Sequence, residues 1–212
     1  MIIQLLETNP SRYVQIVLTV IISIVLHELA HGWAAIRQGD DTPIRLGRMT
    51  GNPMVHMGGL AIVMLLLIGI SYGQMPVNRA RFKSKYGDAI VSGAGPLMNF
   101  VLAFVSLTVL AVMVGLEVGV ESGRYASNLM DFMTIFGVTN IVLGLFNLLP
   151  VPPLDGASIL ANFSPGYRRI IENPQYSLLM FAFFIFVFIN SNFFAIANDV
   201  AATYLAAVVS LF

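Results

Sequence analysis

The chain has 212 residues, of which 57% are hydrophobic and only 10% charged, and its 11 basic and 11 acidic side chains cancel to a formal net charge of zero. An ordinary soluble domain carries about 25% charged residues, and a sphere of this volume cannot bury so much apolar surface. The mean hydropathy of +0.82 therefore places the excess against lipid. A soluble globular enzyme, a disordered chain and a nucleic-acid binder are excluded. The absence of Cys also removes disulfides, a thiolate nucleophile and a zinc ribbon. The expectation is an all-α integral membrane protein, with residues 1–212 forming one membrane-embedded domain.

A helix needs about 20 mostly apolar residues to cross the hydrocarbon core. Residues 13–36 meet that length and lead into no small-residue cleavage site, so they read as a retained span and not a signal peptide. Next, Pro43, Gly47, Gly51 and Pro53 interrupt any long helix, and short strands or turns at the interface are expected. Residues 60–70 are apolar but short and bounded by glycine. The stretch Gly73-Gln74-Met75-Pro76-Val77-Asn78 after them reads as turn or extended chain. Residues 89–116, 129–149, 176–189 and 193–212 supply further candidate spans.

Whether 60–78 crosses decides the sidedness. If all six segments cross, the basic residues divide 7 to 4. If 60–78 dips in and returns, Arg37, Arg45, Arg48, Arg79, Arg81, Lys83, Lys85, Arg168 and Arg169 share one side, leaving Arg12 and Arg124 opposite. The positive-inside rule favours the second arrangement. The expectation is thus five transmembrane helices plus a re-entrant hairpin, or six helices if the segment crosses. The N-terminus is outside and the basic side cytoplasmic. Irregular backbone at membrane depth survives only where protein or a water-filled cavity surrounds it, so the hairpin itself points to a site.

The apolar run 16–26 leads directly into His27-Glu28-Leu29-Ala30-His31. At 3.6 residues per turn both imidazoles occupy one helix face, while Glu28 lies about 100° round the helix. This is the HExxH arrangement of two zinc ligands and a general base. Three such groups within an apolar helix are costly, and intramembrane ionisable residues are functional by default. A packed core histidine pair is the blander alternative.

Catalytic zinc takes three protein ligands and keeps one position open. The remaining candidates are His56, Glu7, Asp40, Asp41, Asp88, Glu117, Glu121, Asp131, Asp155, Glu172 and Asp199. Most of the acids fall in expected loops, where a solvated charge is the ordinary reading. Asp155 differs. It follows Pro150, Pro152 and Pro153, which stop the fourth segment and impose a stiff path, and Gly156 permits a tight turn. It also lies on the same side as His27 and His31 only if 60–78 is re-entrant, so charge counting and metal geometry agree.

The HExxH element together with Asn147 through Leu154-Asp155-Gly156 resembles the site-2 protease family of intramembrane zinc metalloproteases, peptidase family M50. Gly93-Ala94-Gly95-Pro96-Leu97-Met98-Asn99 is similar to that family's GPxxN element. Gly39-Asp40, the stretch from Gly47 to Pro53 with His56, and Pro76-Val77-Asn78 resemble its small bacterial branch. The resemblance covers residues 23–160. It implies a three-helix catalytic core, one zinc ion held by His27, His31 and Asp155, Glu28 as base, and Asn147 beside the metal. It also implies transmembrane protein substrates and a bacterial plasma membrane, in which the charge count turns the site toward the cytoplasm. No PDZ or CBS domain, present in some relatives, is expected within these 212 residues.

Other residues weigh less. His56 is either an auxiliary group near the zinc or an interfacial structural histidine. Asn99 is read as a bond between helices, and Gly93 and Gly95 as close-packing residues. No Lys or Ser/Thr follows those glycines, so a nucleotide site is not expected. Arg79, Arg81, Lys83 and Lys85 read as a headgroup and orientation signal, and Phe181, Phe183, Phe184, Phe186 and Phe188 as facing lipid or neighbouring helices. Serine and aspartyl intramembrane protease patterns are missing. The rival from another class is a non-enzymatic metal carrier using the same ligands, which has no need of a base at Glu28.

Overall fold

The structure, a computed structural model, describes residues 2–117, 123–189 and 192–212, and within those stretches it is all-helical. The helices are α1 (Leu5–Thr8), α2 (Pro10–Arg37), α3 (Thr42–Arg45), α4 (Pro53–Ile68), α5 (Gly87–Gly115), α6 (Gly123–Asn147), α7 (Asp155–Phe163), α8 (Pro165–Ile171), α9 (Pro174–Ile189) and α10 (Phe193–Val209). Their starts follow local rules. Pro10, Pro53 and Pro165 open helices whose preceding Asn9, Asn52 and Ser164 side chains accept from backbone N–H groups of the first turn.

Three described helices, α2, α5 and α6, are long and apolar enough to cross a membrane. Among the described residues α9 and α10 are shorter, with 16 and 17 residues. α5 is the central element, packed against α2, α6, α7 and α10. Ala103, Leu107 and Leu110 of α5 share a core with Val138, Ile141 and Val142 of α6 and Ala197 and Ala201 of α10. Large apolar side chains such as Trp33, Leu97, Phe104 and Leu178 point outward. Phe183 is exposed and Phe181 half-buried, whereas the side chains of Phe184, Phe186 and Phe188 lie outside what is described, as does Glu121.

The expected interfacial strands do not form among the described residues. A strand needs a neighbour to pair with. Residues 42–45 instead make a single helical turn, and Asn52 with Pro53 starts α4 earlier than the hydropathy suggests. The intervening loop is tied by the Arg48 guanidinium donating to the Val55 carbonyl and by His56 Nε2, 2.7 Å from the Thr50 carbonyl.

The hairpin is present in a particular form. α4 descends along α2, with Met57, Ala61 and Leu65 packed against Ile24 and its neighbours, until the Tyr13 hydroxyl donates to the Leu66 carbonyl at 3.0 Å. Gly69, at φ 92°, reverses the chain in a conformation that favours glycine. Residues 70–78 then return without regular secondary structure. The Gln74 N–H donates to the His56 carbonyl at 3.1 Å, and the Asn78 N–H to Asp40 Oδ2 at 2.6 Å. Both limbs therefore meet the chain near the end of α2 that carries His27 and His31.

Candidate metal centre

α2 presents His27 and His31 one turn apart, both buried, and α7 brings Asp155 to them from its first turn. His27 Nε2 and His31 Nε2 are 3.0 Å apart, and Asp155 Oδ2 lies 3.1 Å from the first and 3.4 Å from the second. Zinc bonds of about 2.0–2.1 Å in a tetrahedron separate ligand atoms by about 3.3 Å. The donor set of two imidazole nitrogens and a carboxylate oxygen fits that ion. His31 Nδ1 donates to the Val91 carbonyl at 2.7 Å, which leaves its Nε2 lone pair facing the cluster. His27 Nδ1 lies 2.6 Å from Asn99 Oδ1. Asn99 thus bonds between helices as expected, and one of its partners is the first histidine.

The Asp155 loop is built by close approach. A Cβ on Gly156 would collide with the backbone of Leu148 and Leu149. Its φ is ordinary, so the glycine is required by proximity and not by the turn conformation expected from sequence. The Tyr167 hydroxyl donates to the Pro150 carbonyl at 2.6 Å and ties the proline segment to α8.

Glu28 is buried beside the cluster and borders two cavities of ≈ 220 and ≈ 460 Å³. Both are also lined by His27, Gly73, Gln74, Asn147 and Pro153. The returning limb of the hairpin passes so close that a Cβ on Gly73 would stand 2.6 Å from Glu28 Oε1. Asn147 donates one amide N–H to the Leu143 carbonyl at 3.0 Å while lining both cavities. His56 is not part of the His27, His31 and Asp155 cluster and holds the 50–56 loop through Nε2. Gly95 backs directly onto the imidazoles, where a Cβ would overlap both Nε2 atoms, but Gly93 has only Ile159 at 3.9 Å. The close-packing reading therefore holds for one of the two.

Sequence reasoning missed Asn140 and Ser23, both fully buried behind Asn99, and Arg79 with Ser158 on the wall of the smaller cavity. The signal for the first pair was present, since polar side chains inside long apolar helices need a partner. Arg79 instead reads from sequence as part of a basic cluster. In the structure it pairs with Asp88 at 2.9 Å and donates to Ser158 Oγ at 2.9 Å.

Two imidazoles, a carboxylate and an adjoining glutamate enclosed by three membrane-length helices define a membrane-embedded metallohydrolase. The profile of peptidase family M50 matches residues 15–190. The chain is 37% identical over 172 residues to "Putative zinc metalloprotease YwhC" of Bacillus subtilis, covering 78% of this chain and 77% of that one. It is 31% identical over 176 residues to "Putative zinc metalloprotease Rip2" of Mycolicibacterium smegmatis, covering 77% and 64% respectively. No solved structure matches it significantly. The chain belongs to peptidase family M50 and is an intramembrane zinc metalloprotease.

Proposed function

We propose that His27, His31 and Asp155 hold a single zinc ion and that Glu28 and Asn147 act on a peptide bond of a transmembrane protein substrate. The observation that carries this reading is the convergence of His27 Nε2, His31 Nε2 and Asp155 Oδ2 within 3.4 Å beside Glu28. Zinc, when bound, supplies Lewis acidity toward the scissile carbonyl and the attacking water. Glu28 accepts the proton of that water and delivers it to the leaving amine nitrogen. Asn147 spends one N–H on Leu143, which leaves its second N–H for the substrate carbonyl oxygen as charge develops there.

A helical peptide bond hides its carbonyl in the backbone ladder, so the substrate enters extended. The returning limb at 71–75, which passes Glu28 at Gly73, is the element on which an extended segment is added as a neighbouring strand. The basic residues gathered at the His27 end of α2 support a cytoplasmic orientation of the site in the plasma membrane.

The test compares purified wild type with Glu28→Gln for zinc content and for cleavage of a model transmembrane substrate. Stoichiometric zinc in both, with cleavage reduced about 10²- to 10⁴-fold in the variant, is expected. Equal cleavage by both proteins would overturn the role of Glu28, and a zinc-free wild type would overturn the ligand set. A metal carrier would bind zinc in both and cut with neither.

A further inference from the structure

We propose that Asn140 is a positioning residue that sets, through Asn99, the side of the His27 ring left free for zinc. The inference rests on reading His27 as a zinc ligand. Asn99, Asn140 and Ser23 are each fully buried, and they lie on three different helices, α5, α6 and α2. Asn140 Nδ2 lies 2.9 Å from the Phe136 carbonyl and 2.8 Å from Ser23 Oγ, while its Oδ1 lies 2.8 Å from Asn99 Nδ2. Asn99 Oδ1 in turn lies 2.6 Å from His27 Nδ1.

The direction of this chain of bonds is fixed at its far end. A backbone carbonyl can only accept. The Asn140 atom facing Phe136 must therefore be the NH₂ group, and the atom facing Asn99 is its oxygen. That oxygen also only accepts, so Asn99 presents its NH₂ to Asn140 and its own oxygen to His27. The last acceptor then requires the proton on His27 Nδ1, and the Nε2 lone pair is directed at His31 and Asp155. Without Asn140 the Asn99 amide has no reason to prefer one face. Turned over, its NH₂ would confront Nδ1 and push the proton to Nε2, the atom that has to bind metal. Loss of such an outer partner weakens metal binding about 10- to 100-fold.

The experiment measures the zinc dissociation constant of the full chain in detergent by chelator competition, alongside thermal unfolding without metal. Asn140→Leu should weaken zinc about tenfold or more in the wild-type background, and less than about twofold in an Asn99→Leu background, because its effect passes through Asn99. Asn140→Asp keeps an acceptor toward Asn99 and should bind zinc within about threefold of wild type. It serves as the informative variant should the leucine form fail to fold. Equal losses from Asn140→Leu in both backgrounds, unchanged affinity in a folded Asn140→Leu protein, or a loss in Asn140→Asp as large as in Asn140→Leu would overturn the relay. Wild type that binds no zinc would overturn the ligand assignment itself, which separates the two failures.

Discussion

Gly95 shows how closely the helices must approach to hold the site. Its Cα backs onto both imidazoles, so a methyl group there has to displace His27 or His31. Neither ring has freedom to yield, because His27 Nδ1 is held by Asn99 and His31 Nδ1 by Val91. Gly95→Ala is therefore expected to lose most of its bound zinc and its proteolytic activity. Gly93→Ala, two residues away and meeting only the tip of Ile159 at 3.9 Å, should retain both. Metal analysis of the two purified variants checks this. A zinc-replete Gly95→Ala protein would show that the helices can separate by a methyl group without disturbing the ligands.

At the scale of elements, the returning limb of the hairpin is anchored by one carboxylate. Asp40 is buried just past α2, where Oδ1 accepts from the Thr42 N–H at 3.0 Å and from its hydroxyl at 2.5 Å, and Oδ2 accepts from the Asn78 N–H at 2.6 Å. Burial raises its pKa, but these hydrogen bonds and the nearby Arg81 outweigh it and hold the carboxyl below its ordinary 3.8. A group lowered in the folded state contributes stability above its unfolded pKa and loses it as pH falls through the folded value. Asp40→Asn is expected to destabilise the protein by about 2 kcal/mol at neutral pH. The difference from wild type should stay constant between pH 5 and 7 and narrow progressively as pH falls below the ordinary carboxylate value of 3.8. Unfolding midpoints in detergent measured down that range check it, and a gap that does not narrow on acidification would contradict the charge argument.

The same elements show what sequence could and could not disclose. Hydropathy located α2, α5 and α6 to within a few residues, apart from the start of α6, because lipid demands long apolar helices. The HExxH spacing anticipated the meeting of His27 and His31, because one helix turn alone brings the two imidazoles to one face. Asp155 needed a topological step, since its partners lie over a hundred residues away, and charge asymmetry supplied that step. The strands expected at 44–55 failed because turn residues there are equally well used by Asn52 capping and by the Asp40 and His56 loop bonds. The Asn140 relay was not readable, because hydrogen-bond direction depends on which helices face each other.

The whole molecule is arranged so that its two ends differ in charge and in work. At one end the Arg81 guanidinium pairs with Asp41, Lys83 N–H donates to the Gln38 carbonyl at 2.8 Å, and Asp88 faces both Arg79 and Arg168. The loops after α2 and before α5 therefore belong to one surface, with the start of α8 beside them. At the other end Gln15 donates to the Asn128 carbonyl at 3.0 Å, joining the beginnings of α2 and α6. Nothing needs to be removed before this arrangement is mapped, because the chain has no Cys. Single cysteines at Glu7, Arg45 and Lys85, all exposed, can be labelled with a membrane-impermeant maleimide in intact cells and in inverted vesicles. Cysteines at 45 and 85 are expected to label only from the cytoplasmic face and the one at 7 only from outside. A chain that crossed at 60–78 would put 45 and 85 on opposite faces, and the hairpin would then be lost together with the shared side that Asp155 needs. Labelling of 45 and 85 together from outside would keep the hairpin and reverse the orientation, placing proteolysis at the outer surface of the membrane.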